Sequence, residues 1–268
     1  MVGNRRVGDI AAPLVIVRRT GSAVRIRLNR PEKRNALNHA VVDLLRKEID
    51  SAGTDETVRV IVLEGEGSAF CAGADLAYLR ELAANSSAEN LEDSQALAAM
   101  FLAIAKAPVP VIARVHGHAI AGGCGLASVC DVSIAVSGAK LGYSEVGIGF
   151  IPAIVTAFLL QRASQTGTRE LLLTGRIVDA AEACRRGIVT TVVADEKELD
   201  IEIDAIVRRL DRTDRGAVAM TKRMIEQMDN LGLPEAVALG SELNAEARMR
   251  PECRAGIERF LAKSKDSV

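Results

Sequence analysis

The alternation of strand-like and helix-like segments is the feature that most constrains the fold of this chain. Apolar or alternating runs bounded by turn residues predict strands that begin near Leu14, Ala23, Val58, Pro110 and Asp131. Helical patterns lie between many of them, and residues 36–52 and 91–105 each place their apolar side chains largely on one face. This alternation predicts an α/β protein whose strands are mostly buried.

The pattern changes from about Glu198, after which every segment has a helical period. We therefore predict a core over residues 1–198 and a helical C-terminal region over residues 199–268. That region is suited to capping the active site or to contacting another subunit. Residues 85–93, rich in Asn, Ser, Glu and Asp, are predicted to form a mobile loop near a site.

Composition excludes several classes of protein. Hydrophobic residues make up 49% of the 268 residues and charged residues 26%, which is typical of a globular chain and of neither a disordered nor a membrane protein. The net charge of −1 argues against a nucleic-acid surface. Five cysteines without CxxC spacing predict free thiols, and three histidines without ligand spacing predict no metal site. With no visible secretory signal or membrane span, a cytoplasmic location is expected.

A dinucleotide site is a minor alternative. Gly65 and Gly67 follow a predicted strand like the first two glycines of the dinucleotide fingerprint, but Phe70 stands at the third position. The match to a nicotinamide oxidoreductase is therefore weak.

The segment FCAGADL, residues 70–76, is predicted to present backbone donors. Its small residues would let N–H groups approach a ligand, and Asp75 could cap the helix that follows. The small residues are Ala72, Gly73 and Ala74.

A second donor segment is AIAGGCGL, residues 119–126. Gly122 and Gly123 end a strand-like run and open an apolar helix, so free N–H groups and the positive end of the helix dipole would face outward together. Either segment alone is explained more simply as a glycine-rich turn. Brought together, two such donors would form an oxyanion hole, in which one donor is worth about 3 to 4 kcal/mol of transition-state stabilisation.

Five motifs in order resemble the crotonase, or enoyl-CoA hydratase/isomerase, family. They are RPEKRNALN (30–38), FCAGADL (70–76), HGHAIAGGCGLASVCD (116–131), YSEVGIGFIPA (143–153) and LLLTGRIVDAAEACRRGIV (171–189). The resemblance implies a spiral of ββα turns with an α-helical C-terminal trimerisation region. It also implies a homotrimer, or a hexamer built as a dimer of trimers.

The resemblance further implies an acyl-CoA thioester substrate and no separate cofactor, because coenzyme A is part of the substrate. The thioester oxygen would be held by the N–H groups of Ala74 and Gly122. Arg34 and Ala36 would lie against the adenine and phosphate part of the coenzyme, and Phe260 and Lys263 could reach the coenzyme of a neighbouring subunit. The other expected substrate-binding residues are Ala72, Gly73, Asp75 and Gly123.

Glu145 is the carboxylate within these motifs that matches a catalytic glutamate of the family. Apolar neighbours such as Val146 and Ile148 are expected to raise the pKa of Glu145 by desolvation, which suits a group that shuttles a proton. A surface glutamate or a helix cap is the alternative.

Gly125 departs from the family pattern. Hydratases with two catalytic glutamates carry the first of them at this position, so Glu145 would act as the main proton carrier; a packing role for Gly125 is the alternative. The motif EVGIGFIPA resembles a hydratase subgroup and favours hydration of a 2-enoyl-CoA. Isomerisation of a 3-enoyl-CoA by Glu145 alone, decarboxylation and an inactive CoA-binding scaffold stay as alternatives. His118 could line the acyl pocket, or it could be a surface or packed histidine.

Overall fold

The computed structural model describes residues 12–163 and 165–265. Within them, ten strands form: β1 Val15–Thr20, β2 Ala23–Leu28, β3 Val60–Gly65, β4 Ala69–Cys71, β5 Val111–Val115, β6 His118–Ile120, β7 Val132–Val136, β8 Lys140–Gly142, β9 Val178–Asp179 and β10 Thr191–Val193. The same ranges hold eleven α-helices: α1 His39–Thr54, α2 Leu76–Leu82, α3 Ser87–Lys106, α4 Gly122–Val129, α5 Ala153–Arg162, α6 Gln165–Thr174, α7 Ala180–Arg185, α8 Glu196–Leu210, α9 Arg215–Met228, α10 Leu233–Met249 and α11 Pro251–Lys265. Short 3₁₀ helices span Pro31–Lys33 and Glu145–Ile148.

The ten strands are divided between two sheets in a repeating order. The larger sheet has the order β1-β2-β3-β5-β7-β10, with β1 antiparallel to β2 and the other neighbours parallel. The smaller sheet has the order β4-β6-β8-β9, with β9 antiparallel. The pairs β3–β4, β5–β6 and β7–β8 each place their first strand in the larger sheet and their second in the smaller one. This arrangement is a spiral of ββα turns, as predicted.

Apolar periodicity explains the core of this spiral. Strand β3 is buried along its whole length, because both faces of a parallel sheet are covered. Helix α1 buries Val41, Val42, Leu45 and Ile49 on one face. Full burial of a side chain of this kind contributes roughly 1.5 to 3 kcal/mol. The five predicted strands form within two residues of their expected starts.

The mobile loop predicted at residues 85–93 is wrong, because α3 begins at Ser87. Ser86 caps this helix and accepts a hydrogen bond from the N–H of Glu89, while the Glu89 carboxylate accepts one from the N–H of Ser86. This capping box satisfies two backbone donors that would otherwise be free at the helix start. Polar residues that resembled a loop therefore start a helix.

Helix α8 spans the predicted boundary between the core and the helical C-terminal region. Strand β10 completes the larger sheet beside β7, and α8, which contains residue 198, buries Leu199 and Ile203 against the core. The described residues of α9–α11 include none that is fully buried. The division into two domains stays a prediction. Among the described residues, no helix is long and apolar enough to cross a membrane.

Candidate active site

Three successive turns of the spiral bring their loops to one edge of the smaller sheet. Cys71 of β4, Ala119 of β6 and Leu141 of β8 lie side by side in parallel strands. The carboxyl ends of parallel strands leave a sheet at the same edge. The loops that follow carry the two predicted backbone donors and Glu145, so topology gathers residues that lie far apart in sequence.

The first donor is the N–H of Ala74. Residues 34–37 run beside residues 72–75, and we call this pairing the donor ladder. Within it, the N–H of Leu37 donates to the Gly73 carbonyl at 2.7 Å and the N–H of Asp75 donates to the Leu37 carbonyl at 2.8 Å. Backbone groups of an extended chain alternate in direction, so the Ala74 N–H points away from Leu37. It donates to no other described residue.

The second donor is the N–H of Gly122, the first residue of α4. Ala121 precedes it with φ of 53°, a backbone conformation that is uncommon for a residue other than glycine. Gly125 is the first residue of α4 whose N–H makes a helical hydrogen bond, and its acceptor is the carbonyl oxygen of Ala121. The Gly122 N–H donates to none of the described residues, as expected for the first turn of a helix.

Contact between the two loops places these donors beside each other. Gly73 has φ of +86°, and a Cβ atom there would lie 2.8 Å from the Cβ atom of Ala121 and 3.2 Å from the Gly122 nitrogen. Only glycine satisfies both the conformation and the close approach. The two donor loops are therefore in contact, and neither the Ala74 N–H nor the Gly122 N–H has an acceptor among the described residues.

Glu145 begins the 3₁₀ helix after β8 and is 9% exposed. Its Oε2 atom is buried and has no hydrogen-bond partner among the described residues. Burial raises the pKa of Glu145 above the ordinary value for a glutamate, and its own backbone N–H opposes this shift in part. A buried carboxylate with an unused oxygen is suited to exchanging a proton with a ligand. The expectation of a raised pKa is confirmed.

Thiols of the two donor segments are not poised as nucleophiles. Burial raises the pKa of Cys71 and that of Cys124 to about 12. The thiolate is the reactive form, and it is scarce at neutral pH when the pKa is this high. Negative charge on Glu145 also raises the pKa of Cys124, by a smaller amount than burial does.

Gly125 is buried at the contact between α4 and two other helices. A Cβ atom there would lie 2.9 Å from the Val155 Cβ atom and 3.2 Å from Phe101 Cε1, with Val155 Cγ1 closer still. Val155 belongs to α5 and Phe101 to α3, so side chains from two helices fill this space. The structure therefore supports the packing explanation for Gly125, and it leaves no room for a glutamate there.

His118 lies at the amino end of β6 and is exposed. Its Nδ1 atom accepts a hydrogen bond from the Lys140 N–H at 3.1 Å, so it ties β6 to the start of β8. Gly122, by contrast, follows the carboxyl end of β6. This position supports the surface alternative for His118.

We expect the substitution His118→Phe to leave catalytic turnover nearly unchanged. Surface substitutions of this kind usually change free energies by less than about 0.5 kcal/mol, which corresponds to roughly twofold in a rate. Steady-state kinetics on the purified variant would measure this. A large fall in turnover with unchanged thermal stability would instead place His118 in the acyl pocket.

Several predicted coenzyme-binding residues lie around the two donors. Arg34 is exposed, and its carbonyl oxygen accepts a hydrogen bond from the Ala72 N–H at 2.9 Å. Ala36 is buried in the donor ladder, and Gly123 packs against Cys71. The carboxylate of Asp75 accepts a hydrogen bond from the Ala77 N–H at 3.0 Å and so caps α2, as predicted. Their roles in binding a coenzyme stay predictions.

The two C-terminal candidates are remote in sequence from these loops. Phe260 is exposed on α11. Lys263 belongs to the same helix, but its side chain lies outside the described residues. Reaching the coenzyme of another subunit therefore stays a prediction for both.

Asn35 is a structural residue of the site that the sequence did not single out. It is 1% exposed, and its Nδ2 atom donates to the carbonyl oxygens of Glu66 and Ala69 at 2.9 and 2.8 Å. Its φ is 57°, which asparagine tolerates better than most residues. Among the described residues, every non-glycine residue with positive φ adjoins the two donor loops: Arg34, Asn35 and Ala121. Backbone strain of this kind concentrates at functional sites.

The dinucleotide alternative is not supported by the fold. The fingerprint requires a helix to open after the glycines. Strand β4 follows Gly67 instead. Among the described residues, no group of three or more His, Cys, Asp or Glu side chains could hold a metal ion.

Comparison with known proteins decides the family. A family model described as enoyl-CoA hydratase/isomerase matches residues 18–267. The chain belongs to the enoyl-CoA hydratase/isomerase family. A putative enoyl-CoA hydratase of Thermus thermophilus is 36% identical over 236 residues, covering 88% of this chain and 93% of the relative. A crotonyl-CoA hydratase of Syntrophomonas wolfei is 32% identical and covers 89% of this chain and 91% of the relative.

Solved structures of the family share the fold. The enoyl-CoA hydratase of Mycobacterium smegmatis matches with a TM-score of 0.87 and 35% identity, covering 94% of this chain and 97% of that one. The predicted crotonase fold is thus confirmed, and the trimerisation role of the C-terminal helices stays a prediction.

Proposed function

We propose that this enzyme hydrates a 2-enoyl-CoA through a thioester enolate, with Glu145 as its proton carrier. The observation that carries the proposal is that the loops with two N–H donors, on Ala74 and Gly122, leave the same edge of the smaller sheet as the loop with the buried carboxylate of Glu145, and that among the described residues neither N–H has an acceptor. An enolate places negative charge on one oxygen, and two oriented donors stabilise that charge without a metal. The hydratase names of the relatives support the same reaction.

Each step assigns one proton to one group. The thioester carbonyl oxygen accepts hydrogen bonds from the Ala74 and Gly122 N–H groups. The water oxygen then bonds to C3, and the electrons of the C2–C3 double bond move toward the carbonyl oxygen to form the enolate. Glu145 takes a proton from the water and then gives one to C2 as the enolate collapses. Because the two transfers are sequential, one carboxylate can serve both.

Isomerisation of a 3-enoyl-CoA to the 2-enoyl form is the second candidate. The packing of Val155 and Phe101 against Gly125 favours it, because a second carboxylate to hold water has no space there. In this reaction Glu145 takes a proton from C2 and returns it at C4, while the same two donors hold the dienolate. A shuttle between two carbons requires no water.

One experiment separates the two reactions. The purified protein is incubated separately with a 2-enoyl-CoA and with a 3-enoyl-CoA, and the absorbance of the conjugated thioester is followed. We expect absorbance to fall with the 2-enoyl substrate, which shows hydration. A rise with the 3-enoyl substrate alone would establish isomerisation. Binding of both without turnover would leave only the CoA-binding scaffold, and decarboxylation would require release of carbon dioxide from a carboxyacyl-CoA.

We also propose a cytoplasmic homotrimer, or a hexamer built from two trimers. Support for the assembly comes from large apolar side chains that are exposed on and between the C-terminal helices: Ile225, Leu231, Leu233, Val237, Met249, Ile257, Phe260 and Leu261. Exposed apolar surface of this kind is typical of subunit contacts. Sedimentation of the purified chain would measure the oligomeric state.

A further inference from the structure

A largely buried ion pair joins the two sides of the donor ladder. Arg30 donates from Nη2 to Asp75 Oδ2 at 2.9 Å and from Nη1 to the carbonyl oxygen of Ala36 at 2.6 Å. The two charged side chains keep only 11% and 10% of their accessible surface. One planar guanidinium therefore spans a carbonyl of one side and a carboxylate of the other, which sets the spacing between them.

Asp75 holds the backbone directly after Ala74 from three directions. Its carboxylate caps α2 through the Ala77 N–H, its own N–H bonds to Leu37, and its Oδ2 atom accepts from Arg30. The hydrogen bond from Arg30 lowers the pKa of Asp75, so the carboxylate is ionised at neutral pH. Because the two residues are adjacent, a shift of Asp75 would turn the Ala74 N–H.

Arg30 is itself held in place by Asn35. The Arg30 N–H donates to Asn35 Oδ1 at 2.9 Å, and the Asn35 N–H donates back to the Arg30 carbonyl at 2.9 Å. Asn35 is anchored in turn to Ala69 of β4. The guanidinium thus belongs to a rigid frame that includes the sheet edge from which the Ala74 loop leaves.

We infer that Arg30 and Asp75 are positioning residues that aim the Ala74 N–H at the thioester oxygen. This inference rests on the proposed function, since it concerns the donor that the enolate would use. The donor ladder also carries Arg34 and Ala36, the residues expected to contact the coenzyme. The ion pair therefore joins the predicted coenzyme-binding segment to the group that polarises the reacting carbonyl.

Lysine cannot reproduce this arrangement although it keeps the charge. Its single ammonium lacks the planar fork that lets one arginine donate to two acceptors at fixed positions. The substitution Asp75→Asn keeps an oxygen that can cap α2 but loses the charge that pairs with Arg30. Both variants should leave the donor ladder folded and the Ala74 N–H poorly aimed.

The matched control is Arg114→Lys. Arg114 has the same 11% exposure and donates to Asp200 at 2.8 Å, but it joins β5 to α8 and touches no residue of the donor ladder. Comparing the three variants separates the general cost of weakening an ion pair of a shielded arginine from the specific cost of misplacing a donor.

The experiment measures thermal stability, steady-state kinetics and the absorbance of bound cinnamoyl-CoA, whose band moves to longer wavelength when its carbonyl is polarised. We expect Arg30→Lys and Asp75→Asn to lower kcat by about 10- to 100-fold, because a small misplacement of one oxyanion donor has an effect of this order. KM should change little, and the absorbance shift should shrink. Arg114→Lys should lose comparable thermal stability and keep both kcat and the shift.

Two outcomes would overturn the inference, and they have different consequences for the proposed function. If both ladder variants keep the wild-type shift and kcat, the ion pair does not position the donor and the proposed function is unaffected. If the unmodified protein binds cinnamoyl-CoA without any absorbance shift, the two N–H donors do not polarise the thioester carbonyl. That result would contradict the proposed function as well as the inference. Should Arg30→Lys fold poorly, Asp75→Asn alone decides between these results.

Discussion

The substitution Glu145→Gln is expected to lower kcat by about 10² to 10⁴-fold, the range that general acid–base catalysis contributes. Glutamine keeps the shape of the side chain and removes its ability to exchange a proton. The two backbone donors are untouched, so binding of an enoyl-CoA should persist. Steady-state kinetics with the better of the two enoyl-CoA substrates measures the loss, and full activity in the variant would refute the role given to Glu145.

The same variant should gain stability at neutral pH. Burial raises the pKa of Glu145, so the ionised carboxylate is less favourable in the folded chain than in the unfolded one. The contribution of Glu145 to stability is fully present below the pKa that it has in the unfolded chain. That contribution is lost as the pH rises through the higher pKa that it has in the folded chain. Glutamine does not ionise, and it should abolish that loss. Thermal unfolding as a function of pH would test this.

A second buried glutamate supplies the matched control. Glu64 is 3% exposed and paired with Arg25 and Arg27 at 3.1 and 2.8 Å on the larger sheet. Removing its charge leaves two arginines without their shared partner, so Glu64→Gln should destabilise the fold and retain turnover. Opposite effects of the two substitutions on stability and on rate would separate a catalytic carboxylate from a structural one.

Catalysis should depend on pH through the same carboxylate. In either proposed reaction Glu145 first acts as a base and must be ionised in the free enzyme. We therefore expect kcat/KM to fall as pH drops through its raised pKa. In Glu145→Gln this acidic limb should disappear from the residual activity.

The substitution Gly125→Ala is expected to destabilise the fold, although alanine is about 1 kcal/mol better than glycine inside a helix. Its Cβ atom would overlap Val155 and press on Phe101. Overpacking of this kind costs about 1 to 3 kcal/mol, which outweighs the gain in helix propensity. Denaturant unfolding measures the change in the free energy of unfolding.

Two further variants make this a test of the named contact. Adding Val155→Ala to Gly125→Ala should recover part of the lost stability, so that the double variant loses less than the sum of the single ones. Gly138→Ala is the control, because a Cβ atom there meets nothing within 4 Å. Equal effects at Gly125 and Gly138 would contradict the packing explanation.

Local patterns predicted a large part of the fold and of the candidate site. The strand starts, the Asp75 cap and the helix that opens at Gly122 depend on neighbouring residues, so a linear pattern contains their cause. The exception at Ser86 is also local, since the capping box spans four residues whose polar composition is typical of a loop as well. The family resemblance then assigned roles to Ala74, Gly122 and Glu145, which the structure brings to one edge of the smaller sheet.

The sequence by itself determined the two glycine-rich segments with free backbone donors, which are visible as local motifs, and its resemblance to the family selected Glu145 among the glutamates. Only the tertiary structure decided that Val155 fills the space beside Gly125 and that the Glu145 Oε2 atom has no hydrogen-bond partner in the part of the chain that is described. It also decided that Arg30 pairs with Asp75. The physical reason is that these contacts join different turns of the spiral, and their distances depend on how the strands and helices of those turns pack.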